Sequence, residues 1–310
     1  MNDLTTDEPA PGINGRSTVR DLIDVKSDLL WQIRTLLRDS GFIELVTPTF
    51  RRADDLTGKR PTAEVGALGF LRSMIGPALR YNLQYAPRIF EIGPCFRSDR
   101  PDVTHSREFT MLDLYAADED FAYLVDLAEG LVGLACPGEL RRISVADHIA
   151  TTLGIDLVRE PLDPHTTAIA DHLGLPAGTP LHELLDAYIG AELEPFTTGA
   201  AVFLVDMPLG GNEPCARRRP GTVAILNRFE VVIDRLEVVH GYEDENNSSE
   251  FIQRATAIGL YNHEQALVQK AILAGAVPTR SVGLGIGIER LCMAAAGVHD
   301  ISRFRQSSCF

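Results

Sequence analysis

Two strand patterns joined by a charged loop constrain this chain more than any other feature. Arg88-Ile-Phe-Glu-Ile92 runs on to Arg97, and 108–115 returns across the charged stretch 98–107. The arrangement reads as a long-looped antiparallel hairpin. Before it, Thr18-Val-Arg-Asp21 forms a capping-box pattern, and apolar residues from Val19 to Leu37 recur at helical spacing up to Gly41. The stretch 42–46 predicts a short strand ended by Thr47-Pro48, 49–66 a polar loop, 68–74 a strand, and 77–84 a short helix. Beyond the hairpin, 121–134 has helical period. From 137 to 199 short helical patterns (144–153, 180–191) are broken by Gly and Pro with no strand signal, which predicts an inserted helical subdomain over about 137–200. Strands return at 202–205, 228–233 and 236–240. Helices at 249–258 and 262–274 precede Val282-Gly-Leu-Gly-Ile-Gly-Ile288 and a last helix. Strands, a helical block and more strands imply an α+β fold, an antiparallel sheet flanked by helices and not a doubly wound one. Residues 1–16 lack periodicity and read as a flexible tail before a single domain over 17–310.

Charge narrows the partners. Forty-three acidic against 29 basic residues leave a net charge of −14. That is a poor footprint for gripping nucleic acid along a whole surface. Arg217-Arg218-Arg219 and Arg51-Arg52 are the basic clusters, and they read as solvated loops able at most to guide an acceptor. No apolar run reaches the roughly 18–20 residues of a membrane span. Cysteines at 95, 136, 215, 292 and 309 show no CxxC spacing, as expected of reduced thiols in a cytoplasmic protein.

The chemistry concentrates on the hairpin. Phe96-Arg97-Ser-Asp99 and His105-Ser-Arg-Glu108-Phe109-Thr-Met111 put an arginine at a strand end and an aromatic on the returning strand. A forked donor for phosphate or carboxylate beside an aromatic face suits an anionic ligand that carries a base. A generic solvated hairpin would explain Arg and Phe, but not this spacing. Phe90-Glu-Ile-Gly-Pro-Cys-Phe-Arg97, with Glu108-Phe-Thr-Met-Leu-Asp-Leu-Tyr115, resembles motif 2 of class II aminoacyl-tRNA synthetases. It is most similar to lysyl-tRNA synthetases, their elongation-factor-modifying paralogues and, in this stretch, pyrrolysyl-tRNA synthetases. Gly283-Leu-Gly-Ile-Gly-Ile-Glu-Arg290 resembles motif 3, and 42–48 resembles motif 1, in family order.

The resemblance implies roles. Arg97 would bridge the substrate carboxylate and the α-phosphate of ATP. Phe109 and Arg290 would sandwich adenine, Asp99 (a Glu in the family) would hold its edge, and His105 would reach the terminal phosphates. The motif 3 glycines would let the strand pass close beneath the nucleotide. A second constellation is Arg228-Phe-Glu230 through Glu237. A turn at Ile233-Asp234 would make Glu230 and Glu237 directly opposed neighbours, and two carboxylates that close repel unless a cation lies between them. Hard oxygen ligands suit Mg²⁺ on ATP phosphates, the role of the family's equivalent glutamates; an exposed polar hairpin is the plain alternative.

The substrate positions depart from the lysyl pattern. Met111, Asp113 and Tyr115 would line the pocket, with Asp113 where the family has Glu. His240 and Asp244 stand for the Asn and Glu that grip an ammonium. Gly76-Pro77-Ala78 stands for the element that binds the α-amino group, so its carboxylate is replaced by Ala78, with Arg80 close by. Asp113 and Asp244 remain able to pair with a cation, and Glu243 could supply a lost carboxylate. Lysine is nevertheless expected to be a poor substrate.

The expected activity is ATP- and Mg²⁺-dependent activation of an amino acid or related carboxylic acid to an acyl-adenylate. The acyl group would pass to a non-decoding acceptor: a carrier protein, a protein lysine or a small amine. An anticodon-binding domain is not expected, which places tRNA second among acceptors. The alternatives are an aminoacyl-tRNA ligase that recognises only the acceptor stem, and a non-catalytic paralogue serving as a regulatory or dimerisation subunit. Motif 1 implies a homodimer.

Overall fold

The computed structural model describes residues 18–52 and 63–305. The expected tail at 1–16 lies outside them. The first helix, α1 (Val19–Asp39), starts at a true capping box: Thr18 Oγ1 accepts from the Asp21 N–H, and the Asp21 carboxylate accepts from the Thr18 N–H. It leads into β1 (Ile43–Glu44). The expected loop at 49–66 contains two short strands, β2 (Phe50–Arg52) and β3 (Ala63–Glu64), which pair with β4 (Gly69–Leu71) in a small separate sheet. Next come α2 (Gly76–Asn82) and the hairpin strands β5 (Arg88–Phe96) and β6 (Glu108–Ala117). The helix α3 (Phe121–Gly133) follows.

The inserted block is not wholly helical. It opens with β7 (Arg141–Ser144), then α4 (Val145–Leu153), α5 (Thr166–Leu173) and α6 (Leu181–Tyr188). The chain returns through β8 (Ala201–Val205), β9 (Arg228–Ile233) and β10 (Leu236–Glu243). The helices α7 (Ser248–Ala257) and α8 (His263–Leu273), the strand β11 (Ser281–Gly287) and α9 (Ile288–Ala296) complete the order. No helix among the described residues is long and apolar enough to cross a membrane.

The main sheet runs β1-β5-β6-β11-β10-β9-β8-β7. Its six central strands are antiparallel as expected, but β1 pairs parallel to β5 and β7 parallel to β8, so the sheet is mixed.

Period-two alternation assigns the two faces. Leu112, Leu114, Val231, Val239, Leu284 and Ile286 pack under α1, α3 and α9 in one core. The residues between them, Met111, Asp113, Tyr115, Glu230, His240 and Tyr242, belong to the other face. That face is covered only at its ends. α2 and α8 pack on one side around Ile75, Leu79, Val268 and Ile272. The inserted helices pack on the other through Val202, Leu204 and Val232. The uncovered middle of the sheet is the floor of the site.

Two buried polar contacts tie the frame together. Arg72 pairs with Glu91 at 2.7 Å, and the same carboxylate accepts from the N–H and hydroxyl of Thr47. Gly93 leaves the room: a Cβ there would stand 2.3 Å from Arg72 Nη2.

Candidate active site

At one end of the floor, Arg97 follows β5, and its N–H donates to the Arg107 carbonyl at 2.8 Å, closing the hairpin loop. Its guanidinium stands 5.1 Å from the Phe109 ring centroid. Arg290, on the first turn of α9, donates from Nη1 to the Glu237 carbonyl at 2.8 Å, and its Nη2 lies 3.0 Å from His105 Nε2. Asp102 fixes the other ring nitrogen of His105 at 3.0 Å. Arg97, Asp99, His105, Phe109 and Arg290 line one cavity of about 120 Å³. Here the cation over Phe109 is Arg97, not Arg290.

The buried Glu289 anchors this end. Its carboxylate accepts from the Thr110 N–H at 2.8 Å and hydroxyl at 2.7 Å, and from Lys26 at 2.8 Å. It thereby locks α9, β6 and α1 together. Of the motif 3 glycines, only Gly287 faces this cavity. A Cβ on Gly283 would meet the Tyr115 ring at 2.7 Å, and one on Gly285 would stand 2.8 Å from Asp113 Oδ1 and 2.9 Å from His240 Cε1. Those two glycines make room for the protein's own side chains.

The expected turn at Ile233-Asp234 is displaced by one residue. Asp234 (φ 48°) and Arg235 (φ 67°) form the two-residue loop, as a primed hairpin turn requires. Ile233 then pairs with Leu236, Glu237 with Val232, and Glu230 with His240. Glu230 and Glu237 are therefore not directly opposed. A bulge at Val238 lets Glu237 and His240 share the site face although they are three residues apart. Glu230 is buried and paired with Arg228. Burial raises its carboxyl, Arg228 opposes the rise, and the nearby Glu237 charge adds to it. Glu237 is more open and stands 3.4 Å from His240 Nδ1. Burial would raise its carboxyl, but the hydrogen bond and charge of His240 hold it below the ordinary range. No group of three or more His, Cys, Asp or Glu among the described residues forms a metal cage. Two hard-oxygen carboxylates on a shared face fit a cation that takes its remaining oxygens from phosphate and water.

A larger cavity of about 630 Å³ continues from this point, sharing Arg97, Met111, Glu237 and His240 with the smaller one. Asp113, Tyr115, Arg80 and Asp244 line it; Ala78 does not. Ala78 turns its N–H to the carbonyl of Ile75, the residue that precedes α2. Asp113 accepts from the Ile75 N–H at 3.1 Å, and burial raises its carboxyl despite the charge of His240. Tyr115 and Tyr242 share a hydroxyl contact of 2.8 Å.

Asp244 is not free to receive a cation. Its Oδ1 lies 3.2 Å from Arg80 Nη1, and its Oδ2 accepts from the Ser281 hydroxyl. Glu243 supplies no substitute, because it is held by Arg217 and Asn227.

Three of the five arginines in the basic clusters are committed inward, while Arg218 and Arg52 are exposed. Arg217 pairs with Glu243, Arg219 with Asp206, and Arg51 with Glu264. Arg51, Gln269, Tyr242 and, from the inserted α6, Asp186 line the larger cavity without having been singled out as substrate residues. Tyr242 was within reach of the alternation that exposes His240. Gln269 had a weaker signal, a polar residue beside the apolar Val268 and Ile272.

The family model for tRNA synthetases class II (D, K and N) matches residues 13–306. Among curated proteins, the lysine–tRNA ligase of Streptococcus thermophilus is 27% identical over 307 residues, covering 88% of this chain and 61% of the relative. The lysine–tRNA ligase of a Roseiflexus species is 27% identical, with 89% and 62% covered. A probable cytoplasmic lysine–tRNA ligase of Encephalitozoon cuniculi is 26% identical, with 92% and 65% covered. The chain thus spans about three-fifths of the length of the curated relatives it matches. With motifs 1, 2 and 3 arranged around one sheet and the match running nearly end to end, this chain belongs to the class II tRNA synthetase family of the D, K and N type.

Proposed function

We propose that this chain activates an amino acid, or a closely related carboxylic acid, with ATP to form an acyl-adenylate. The observation that carries the reading is the convergence of Arg97, Phe109, Arg290, Glu237 and His240 on two cavities that share Arg97, Met111, Glu237 and His240 as lining. Arg97 lines both. There it would offset charge as a carboxylate oxygen attacks the α-phosphorus and the bond to pyrophosphate breaks. Phe109 would present its ring to adenine and Arg290 the opposing cation, with Arg97 moving from the ring to the reacting carboxylate. Asp99 would meet the adenine edge and His105 the outer phosphates. Glu230 and Glu237 would hold Mg²⁺, which when bound neutralises phosphate charge. Met111, Asp113, Tyr115 and His240 would border the amino acid. The catalytic unit would comprise 17–310, with 137–200 inserted.

For the acceptor, the relatives' names favour tRNA over the carrier protein, protein lysine or small amine expected from the sequence. A second reading, transfer to a non-RNA acceptor, has one observation behind it. Arg51, Arg217 and Arg219 are consumed by internal ion pairs on a chain of net charge −14. Hydroxylamine trapping of the activated acyl group tests the first step. The same incubation with radiolabelled acid and unfractionated tRNA tests the second. Hydroxamate together with acid-precipitable label supports tRNA acylation. Hydroxamate without label supports the second reading. No hydroxamate from any amino acid contradicts adenylation.

A further inference from the structure

The larger cavity is lined by side chains with buried polar atoms that the protein itself does not satisfy. Arg80 is 4% exposed; Nη1 faces Asp244 and Nη2 donates to the Glu245 carbonyl at 3.3 Å, but Nε has no hydrogen-bond partner. Gln269 is 2% exposed, and neither its amide nitrogen nor its amide oxygen is bonded. Arg51, 6% exposed, keeps Nη2 without a hydrogen bond beside its ion pair with Glu264. All three line the same cavity. Such atoms are expensive to bury unless something pairs with them.

The charges there already balance. Arg80 neutralises Asp244, and Arg51 neutralises Glu264. An incoming ammonium would meet carboxylates whose charge is already balanced, Asp244 by Arg80 and Glu264 by Arg51, and would stand beside those two guanidinium groups, a costly burial. An incoming carboxylate would satisfy the donors but add an unbalanced negative charge next to Asp244. The unpaired set is mostly donors, together with the Gln269 amide oxygen and Asp244 Oδ1, which has no hydrogen bond beside its ion pair with Arg80. A neutral group that brings a carbonyl oxygen and an N–H answers both.

Resting on the adenylation reading above, we propose that this cavity selects a substrate whose side chain ends in an uncharged carboxamide or ureido group. Arg80 and Gln269 are the residues that would read it.

Amino-acid-dependent pyrophosphate exchange decides the matter, with asparagine, glutamine and citrulline set against lysine, ornithine, aspartate, glutamate and leucine. The best neutral polar substrate should exceed lysine by about 100-fold or more in kcat/KM, and the acidic pair by at least about tenfold. Lysine, ornithine, an acidic amino acid or leucine at an equal or higher rate overturns the proposal and leaves adenylation standing. Exchange with no member of the panel, and no hydroxamate from any other amino acid, overturns both. Gln269→Leu, which keeps the shape, should raise KM for the preferred substrate by about tenfold and leave KM for ATP unchanged. An unchanged amino-acid KM in that variant also overturns the proposal.

Discussion

Asp244 carries more information than any other residue of the site. Burial pushes its carboxyl up to about 6, although Arg80 and Ser281 pull the other way. The folded state therefore holds this proton more tightly than the unfolded chain, whose carboxylates titrate near about 4. The resulting stability is fully present below the unfolded value and is lost as pH rises through about 6. Asp244→Asn, nearly isosteric with the protonated acid, should match the parent at low pH. Its stability should stay flat where the parent's falls as pH rises through about 6. Urea midpoints measured across that range check it; parallel curves for the two proteins would contradict it. Arg290 makes the second residue-scale prediction. It holds the Glu237 carbonyl and faces His105, so Arg290→Ala should lower pyrophosphate exchange by about 100-fold or more. A loss below about tenfold would remove Arg290 from the nucleotide site. At this scale the sequence was informative where residues lie close along the chain, as with Arg97 and Phe109. It was silent on Arg80 with Asp244, whose pairing depends on a helix and a strand far apart in the chain.

Among the elements, the β5–β6 hairpin was legible because its apolar alternation and its charged loop agree with each other. β7 was not. Arg141 and Arg142 are exposed on an edge strand, and their pattern has no apolar face to read. The β9–β10 hairpin shows a subtler limit. Its existence follows from composition, but a one-residue difference in the turn changes which residue opposes Glu230, and period alone does not set the turn. The turn also makes a prediction. Arg235 adopts φ 67° with its N–H bonded to Thr197 Oγ1, a geometry that glycine accepts without strain. Arg235→Gly should stabilise the protein by about 0.5–1 kcal/mol in chemical denaturation and leave exchange activity intact. Destabilisation would show that the Arg235 side chain matters more than its backbone.

For the molecule as a whole, one sheet face is sealed by α1, α3 and α9, and the other is open between two helical blocks, so the site follows from what the helices leave uncovered. Trp31 on α1 is 68% exposed, and Ile43, Val46 and Phe50 are exposed nearby in sequence. Exposed apolar surface on the motif 1 elements agrees with the proposed two-fold dimer. Light scattering at micromolar concentration should return twice the 33.9 kDa chain mass, and Trp31→Glu should shift it toward the monomer. A monomeric parent with full activity would contradict the dimer. The claim on which the rest depends is acyl-adenylate formation at the Arg97–Phe109–Arg290 cleft, and its direct measure is isotopic exchange of pyrophosphate into ATP without any acceptor. Exchange should depend on one amino acid and on Mg²⁺ and be lost in Arg97→Ala; exchange that needs no amino acid, or that survives in Arg97→Ala, would contradict adenylation at this cleft.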